Sequence, residues 1–157
     1  MRYVEAPTEY TATDPAVFLA GGITDCPDWQ LVARDLLADA PCVVLNPRRA
    51  DFPIHDPGAA AGQIDWEFRH LRLADVVLFW FPASTSVQPI ALYELGAHAA
   101  MGKPIAVGTD PLYSRRMDVA LQLEHVRPDV PVYHSLARVV AETRRILLGD
   151  GYPPPRA

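Results

Sequence analysis

The 157-residue chain has few of the residues on which disulfide frameworks, metal centres and nucleic-acid surfaces depend. Its two cysteines, Cys26 and Cys42, are too few for a disulfide framework, and no cysteine and histidine residues have the spacing of metal ligands. Lysine occurs once, at Lys103, and the net charge is −5. The cysteine count and spacing lead us to expect two free thiols and no metal. Because an acidic chain is a poor general binder of nucleic acids, we also expect no nucleic-acid partner.

Several targeting and cofactor signals are also missing from the chain. No apolar run reaches the length of a transmembrane helix, and residues 1–14 contain no hydrophobic signal core. We therefore predict a cytoplasmic protein with no membrane partner. The chain has neither a GxGxxG motif nor a Walker lysine, so it predicts no cofactor. Neither Ser84 nor Ser86 lies in the elbow motif of serine hydrolases.

Short apolar segments alternate with segments of helical character along the chain. The predicted strands are 17–20, 42–45, 76–80, 103–107 and 130–133, and the predicted helices are 28–39, 63–74, 88–100, 113–123 and 135–148. Such alternation is typical of a parallel sheet covered on both faces. We predict one α/β domain over residues 1–157, a doubly wound, flavodoxin-like three-layer sandwich with a five-stranded parallel sheet. Residues 1–14 and 150–157 are expected to be extended termini.

Unusual residues follow the predicted strands at the edge where such sheets bind ligands. Gly21 and Gly22 follow the first strand, where a missing side chain lets a ligand approach the backbone, although a plain turn explains them as well. Asn46 follows the second strand. Phe81 follows the third, where it could stack on a base or pack in the core. The sequence thus predicts one binding edge.

Two arginine pairs also follow predicted strands. Arg48 and Arg49 come after the second strand, and Arg115 and Arg116 come after the fourth. Arginine suits the planar recognition of phosphate or carboxylate, although surface arginines are common. The sequence therefore predicts that one of these pairs contacts an anionic part of the ligand. On that hypothesis, a monophosphate binds more tightly than its nucleoside.

The most informative segment is the predicted helix 88–100, which is apolar nearly all the way round and should be packed on several sides. One carboxylate, Glu94, lies in its middle. Because an unpaired buried charge is costly, we expect the Glu94 carboxylate to be paired with another group, to have a raised pKa or to point into a cavity. The alternative is a position at the helix edge, where its carboxylate reaches solvent.

A second carboxylate, Glu67, lies next to the apolar positions of the preceding helix, which we take to be Ile64, Phe68, Leu71 and Ala74. We expect Glu67 to point inward, although it could instead be partly exposed and pair with a histidine or an arginine. If Glu67 and Glu94 share one pocket, their repulsion raises at least one pKa. Two carboxyl groups with separate pKa values suit acid-assisted glycosyl chemistry.

With these segments the chain resembles the nucleoside 2-deoxyribosyltransferase superfamily, in its divergent deoxyribosyltransferase-like branch. The resemblance covers about residues 17–123. It rests on Phe-Leu-Ala-Gly-Gly after the first strand, Leu-Ala-Asp-Val-Val around Asp75, and Tyr-Glu-Leu-Gly-Ala around Glu94. The last of these is the most specific, because the family places its glycosyl-accepting glutamate on this helix.

The resemblance implies roles for four positions. Glu94 matches the nucleophile, and Glu67 falls where the family has an aspartate that handles the leaving base. Gln88 falls where the transferases carry a substrate-binding aspartate and related nucleotide hydrolases a serine. Phe18 falls where the family has a tyrosine that hydrogen-bonds the nucleophile. Gln88 and Phe18 are departures that bear on the substrate and on catalysis, respectively.

These observations predict an enzyme that cleaves or transfers the N-glycosidic bond of a nucleoside or nucleotide. The candidate catalytic residues are Glu94 and Glu67. The candidate substrate-binding residues are Phe18, Gly21, Gly22, Asn46, Arg48, Phe81, Gln88 and Arg115. The resemblance also implies a homo-oligomer. The alternatives are a non-catalytic module that binds a nucleotide or nucleotide-sugar, and a flavoprotein, which the single threonine of the loop after strand one disfavours.

Overall fold

A computed structural model describes residues 1–53 and 55–149 of the chain. Within these residues six parallel strands form one sheet. They are β1 (Arg2–Glu5), β2 (Ala16–Gly21), β3 (Val43–Asn46), β4 (Val76–Phe81), β5 (Ile105–Thr109) and β6 (Val132–Tyr133). The strand order is β1-β3-β2-β4-β5-β6. Strands β2 to β6, taken alone, have the flavodoxin-like order, so the predicted α/β fold class is confirmed.

Helices cover both faces of this sheet. They are α1 (Trp29–Leu36), α2 (Pro57–Leu73), α3 (Pro89–Ala100), α4 (Arg116–Val126) and α5 (Leu136–Leu148). One apolar cluster joins one face of the sheet to α2, α3 and α4 through residues such as Trp66, Leu95 and Leu123. The second joins the other face to α1 and α5 through Trp29 and Val139. The sandwich therefore has the three layers that the strand–helix alternation predicts.

The sheet has six strands rather than the predicted five. The additional strand is β1, in the segment expected to be an extended terminus, and it pairs with β3 so that Val4 lies opposite Leu45. It is a four-residue edge strand in which Val4 alone is fully buried. So short and polar a segment carries no apolar run, which is why sequence patterning missed it. The predicted terminus 150–157 lies outside the described residues.

Two helices begin at residues other than those predicted. Helix α2 starts within the predicted loop 50–62, because the Asp56 side chain accepts a hydrogen bond of 2.9 Å from the backbone N of Gly58 and a proline occupies the first turn. A capping aspartate and a proline in the first turn are ordinary signals of a helix N-terminus. The glycine and alanines nearby obscured these signals in the sequence. Helix α4 begins at Arg116 rather than Tyr113, whose side chain is instead buried in the core.

The buried face of α2 differs from the predicted apolar stripe. Ile64 and Phe68 are 64% and 61% exposed, so their predicted burial is wrong. The inward face instead carries Trp66, His70 and Leu71, which are buried. His70 satisfies both ring nitrogens internally, so a polar residue occupies a core position that hydrophobicity alone assigns to the surface.

Helix α3 is packed on one side rather than on several. Its inward face carries Ala91, Leu95 and Ala99. Ile90 and Tyr93, on the opposite side, are 65% and 75% exposed. Within one chain the expected packing on several sides is therefore not observed, because the apolar composition of this helix extends onto its outer surface.

The close approach of the neighbouring strand β4 leaves no room for a side chain at Gly21, at the end of β2. Its φ is +154°, and a Cβ there would collide with the carbonyl oxygen of Trp80. We predict that Gly21→Ala lowers the free energy of unfolding by about 2–4 kcal/mol, because it adds both backbone strain and overpacking. Urea denaturation measures this loss.

The matched control is Gly62→Ala. Gly62 lies in α2, and a Cβ there meets no atom within 4 Å. Alanine should raise the free energy of unfolding by about 0.5–1 kcal/mol, because glycine disfavours a helix interior. Equal effects of the two substitutions would contradict the structural requirement at Gly21.

Candidate functional site

A cavity of about 230 Å³ lies at the carboxyl ends of the strands, between α2 and α3. Its walls come from the end of β2 and the following loop, from Pro47 after β3, from the loop after β4 and from the two helices. Six of the ten predicted site residues line it. They are Phe18, Gly21, Gly22, Glu67, Gln88 and Glu94. The topology places the cavity where the strand order reverses, as expected for ligand sites in open α/β sheets.

Glu94 reaches this cavity from the middle of α3. Burial, with a further contribution from the charge of Glu67, raises the pKa of Glu94 from its ordinary 4.5 to about 8. Among the described residues, no group donates a hydrogen bond to its carboxylate. His98, one turn later, donates from Nδ1 to the backbone carbonyl of Glu94 at 2.8 Å, rather than to the side chain. The carboxyl group of Glu94 therefore favours its protonated form at neutral pH.

Glu67 reaches the same cavity from α2, but its carboxylate has a hydrogen-bond donor. The amide Nε2 of Gln63 lies 2.8 Å from Oε1 of Glu67, one helical turn away. Burial raises the pKa of Glu67, and the hydrogen bond from Gln63 acts in the opposite direction. The alternative partners do not bind it, because His70 contacts Tyr10 and Trp66, and Arg69 pairs with Glu9.

The backbone of Gly22 and the side chain of Gln88 meet at the floor of the cavity. A Cβ at Gly22 would lie 2.5 Å from both the Cys26 sulfur and the Gln88 amide, so only glycine fits there. Gln88 is 4% exposed and has φ of +53°, which is uncommon outside glycine. Its Nε2 donates to the carbonyl of Pro82 at 2.9 Å, whereas its Oε1 has no partner among the described residues.

Phe18 forms part of the cavity wall beneath the carboxyl groups. It is 1% exposed, and its ring packs against Trp66 with 6.0 Å between ring centroids. A phenylalanine ring has no hydroxyl group, so it offers no hydrogen bond to either carboxylate. The phenylalanine at this position, where the resemblance leads us to expect a tyrosine, therefore leaves the Glu94 carboxylate without a hydrogen-bond donor from β2.

Asn46 and Arg48 do not line the cavity, although Pro47 between them does. The Asn46 amide, at the end of β3, donates to the hydroxyl of Tyr3 in β1 at 2.6 Å and so links the two strands. The Arg48 guanidinium donates to the backbone carbonyls of Pro27 and Cys26. Both side chains are thus occupied by contacts within the protein, and the cavity gives no support to their predicted contact with the substrate.

Phe81 and Arg115 also lie away from the cavity walls. Phe81 is completely buried and stacks on Tyr113, with 5.3 Å between ring centroids, so its ring cannot stack on a base. Arg115 is exposed at the start of α4, 3.5 Å from Asp118. Strand-end position alone does not give the direction of a side chain, which is why neither residue lies on the cavity walls as expected.

The expected contact between an arginine pair and an anionic ligand is not supported. Arg49 lies over the ring of Phe52, 5.4 Å from its centroid, and Arg116 begins α4 in an exposed position. Among residues 1–53 and 55–149, no lysine or arginine lines the cavity. The charged groups that line it in this part of the chain are Glu67 and Glu94.

Sequence reasoning missed Gln63 as a site residue. Its amide contacts both Glu67 and the backbone carbonyl of Pro47, which lies on the cavity wall. The signal was present, because residues four apart on a helix share a face. Ser86 and Thr24, which also line the cavity, carry no comparable signal.

These features define an α/β protein with two carboxyl groups in a cavity at the carboxyl ends of its parallel strands. The family model described as "Nucleoside 2-deoxyribosyltransferase like" matches residues 14–112, which include β2 to β5 and both cavity carboxylates. The chain therefore belongs to the nucleoside 2-deoxyribosyltransferase-like family, as the sequence resemblance predicted. A comparison with curated proteins finds no match.

Neither membrane-spanning helices nor metal-ligand clusters occur in the described part of the chain. None of its helices combines the length and the apolar character needed to cross a bilayer. Likewise, no group of three or more histidine, cysteine, aspartate and glutamate side chains in these ranges is placed to hold a metal ion.

We predict that Glu94→Gln stabilises the protein increasingly as pH rises from about 4.5 to about 8. In this range the folded wild type binds a proton at Glu94 that the unfolded chain releases, so the wild type loses stability with rising pH. The amide does not titrate. The variant's advantage in free energy of unfolding should reach roughly 2–5 kcal/mol at the alkaline end, as measured by urea denaturation at several pH values.

The exposed Glu124 of α4 provides the control. Glu124→Gln should leave the pH dependence of stability unchanged. A Glu94→Gln curve parallel to that of the wild type would show that Glu94 titrates in its ordinary range.

Proposed function

We propose that the protein cleaves or transfers the N-glycosidic bond of a nucleoside. The observation that carries this proposal is the pair of half-buried carboxyl groups, Glu67 and Glu94, that line one cavity from different helices. Membership of the nucleoside 2-deoxyribosyltransferase-like family supports the reaction class. The two carboxyl groups also have different surroundings, because Gln63 donates a hydrogen bond to Glu67 alone.

In the proposed reaction, ionised Glu94 attacks C1′ of the sugar. The bond from C1′ to the base nitrogen breaks, its electron pair passes to the base, and Glu67 donates a proton to the leaving base. Water or a second base then attacks C1′ of the resulting glycosyl ester and loses a proton to the Glu67 carboxylate, while the bond from C1′ to Glu94 breaks and the Glu94 carboxylate leaves. Two displacements at one carbon give net retention of configuration. Gln88 and the backbone at Gly21 and Gly22 would bind the nucleoside.

We further propose that the substrate is a nucleoside rather than a nucleotide. A phosphate would approach two carboxyl groups with no lysine or arginine from the described cavity walls to compensate its charge.

The second candidate function is a module that binds its ligand without turnover. Phe18 favours this alternative, because it removes the hydroxyl that family members direct at the nucleophile. A homo-oligomer also remains a prediction. The exposed apolar side chains of Ile90 and Tyr93, beside the cavity on α3, support it.

The test is incubation with ribonucleosides, deoxyribonucleosides and their 5′-monophosphates, with base release measured by chromatography. We expect release from at least one nucleoside. Glu94→Gln should reduce the rate at least 10³-fold, about the lower bound for loss of a covalent nucleophile, while the protein stays folded. The exposed Glu124→Gln is the control. Binding without base release would favour the non-catalytic module, and undiminished release by Glu94→Gln would exclude Glu94 as the nucleophile.

Calorimetry with a matched nucleoside and 5′-monophosphate tests the substrate class. We expect the nucleoside to bind more tightly, by about tenfold or more at low salt, because the phosphate meets uncompensated carboxyl groups. Added salt should narrow the difference, since it screens the repulsion. Tighter binding of the monophosphate would show that a cation reaches the cavity, and it would restore the nucleotide as the substrate.

A further inference from the structure

Gln63 connects the cavity wall to one of the two carboxylates. Its Nε2 lies 2.7 Å from the carbonyl oxygen of Pro47 and 2.8 Å from Oε1 of Glu67. A carbonyl oxygen can only accept hydrogen bonds, so the amide must present its nitrogen on this side. Both N–H bonds are then used, and one of them points at Glu67. The orientation leaves Oε1 of Gln63 buried without a partner among the described residues.

The two carboxyl groups are therefore not equivalent. A hydrogen bond from a neutral amide is stronger to a carboxylate than to a carboxylic acid, so Gln63 favours the ionised form of Glu67. Glu94 has no such donor within the described ranges, and the nearby wall residue Phe18 cannot supply one. Two like charges in one buried site also disfavour double ionisation, so the pair retains one proton over a wide pH range.

Other titratable groups nearby make no side-chain contact that would change which of the two carboxyl groups is ionised. On α2, His70 has both ring nitrogens engaged by Tyr10 and Trp66, and Arg69 is exposed and paired with Glu9. On α3, His98 contacts the backbone of Glu94 through Nδ1. Burial is the main cause of the pKa of about 8 for Glu94, and the charge that adds to it is that of Glu67.

We infer that Gln63 is a positioning residue that keeps Glu67 ionised and leaves the shared proton on Glu94 in the unliganded protein. This is the reverse of the distribution that the proposed reaction requires. If the proposed function holds, one proton must pass from Glu94 to Glu67 before the attack. The O–H bond of Glu94 breaks and an O–H bond of Glu67 forms, with no change in the charge of the pair. The resting protein thus holds its nucleophile in an inactive form.

Carbon-13 NMR of protein labelled at the glutamate carboxyl carbons tests this inference without any substrate. Glu67→Gln and Glu94→Gln assign the two signals. In the wild type, the Glu67 signal should titrate at lower pH than the Glu94 signal. Gln63→Met keeps the side-chain length and removes the donor, so the Glu67 midpoint should rise by about one pH unit or more. Gln122→Met, the same change at an exposed site on α4, should move neither signal.

Two outcomes would overturn the inference. One is a Glu67 midpoint above that of Glu94 in the wild type, and the other is an unchanged Glu67 midpoint in Gln63→Met. If Gln63→Met fails to fold by circular dichroism, Gln63→Asn retains an amide that is too short to reach both acceptors, and the same rise is expected.

The titration and the base-release panel can fail independently of each other. The expected midpoints without base release would leave the proton assignment standing and overturn the proposed function. Base release with reversed midpoints would do the opposite.

Discussion

The electrostatic repulsion between two carboxyl groups in one buried cavity is the constraint on which the site depends. Glu67 and Glu94 face this cavity from different helices, and burial raises the pKa of both. Such a pair destabilises the fold if both groups ionise, so the surrounding structure must hold α2 and α3 firmly. The site therefore lowers the free energy of unfolding, and the sheet and the contacts that hold the two helices have to offset this loss.

Helix α2 is held in place mainly by segments distant in sequence. The indole of Trp66 donates to the backbone carbonyl of Thr8 at 2.9 Å, and His70 accepts from the backbone N of Tyr10. At the C-terminal end of the helix, Lys103 donates to the carbonyls of Arg72 and Ala74. The single lysine of the chain thus caps α2. The segment between β1 and β2 and the start of β5 together fix the helix that carries Glu67.

Much of this architecture could be predicted from the sequence because parallel strands are buried on both faces. The strands β2 to β5 are short apolar runs, so their existence and their order follow from simple patterning. Edge strands lack that signal, and β1 was missed for this reason. The aspartate motif around Asp75 has a structural role, since its carboxylate accepts from the backbone N of Ala16 at 2.8 Å and anchors the start of β2.

The candidate site was predictable only where the direction of a side chain follows from its position on a helix. Helical spacing placed Glu67 inward, although the apolar residues chosen to define that face, Ile64 and Phe68, are exposed. The placement of Arg48 depends instead on loop conformation. That of Phe81, the last residue of β4, depends on which face of the sheet its side chain meets. Partners of a buried polar group are equally hard to predict, because they come from other elements.

The protonation order of the site follows from two residues that act in the same direction. Phe18, in place of a tyrosine, withholds a donor from Glu94, which raises the free energy of its ionised form. Gln63 supplies a donor to Glu67, which lowers the free energy of the ionised form of that group. Burial is the largest influence on the pKa of both groups, and each of these two residues adds to it by shifting the proton of the pair toward Glu94. In this chain the choice of the acid and of the anion therefore depends on the hydrogen-bond donors around the carboxyl groups as well as on their burial.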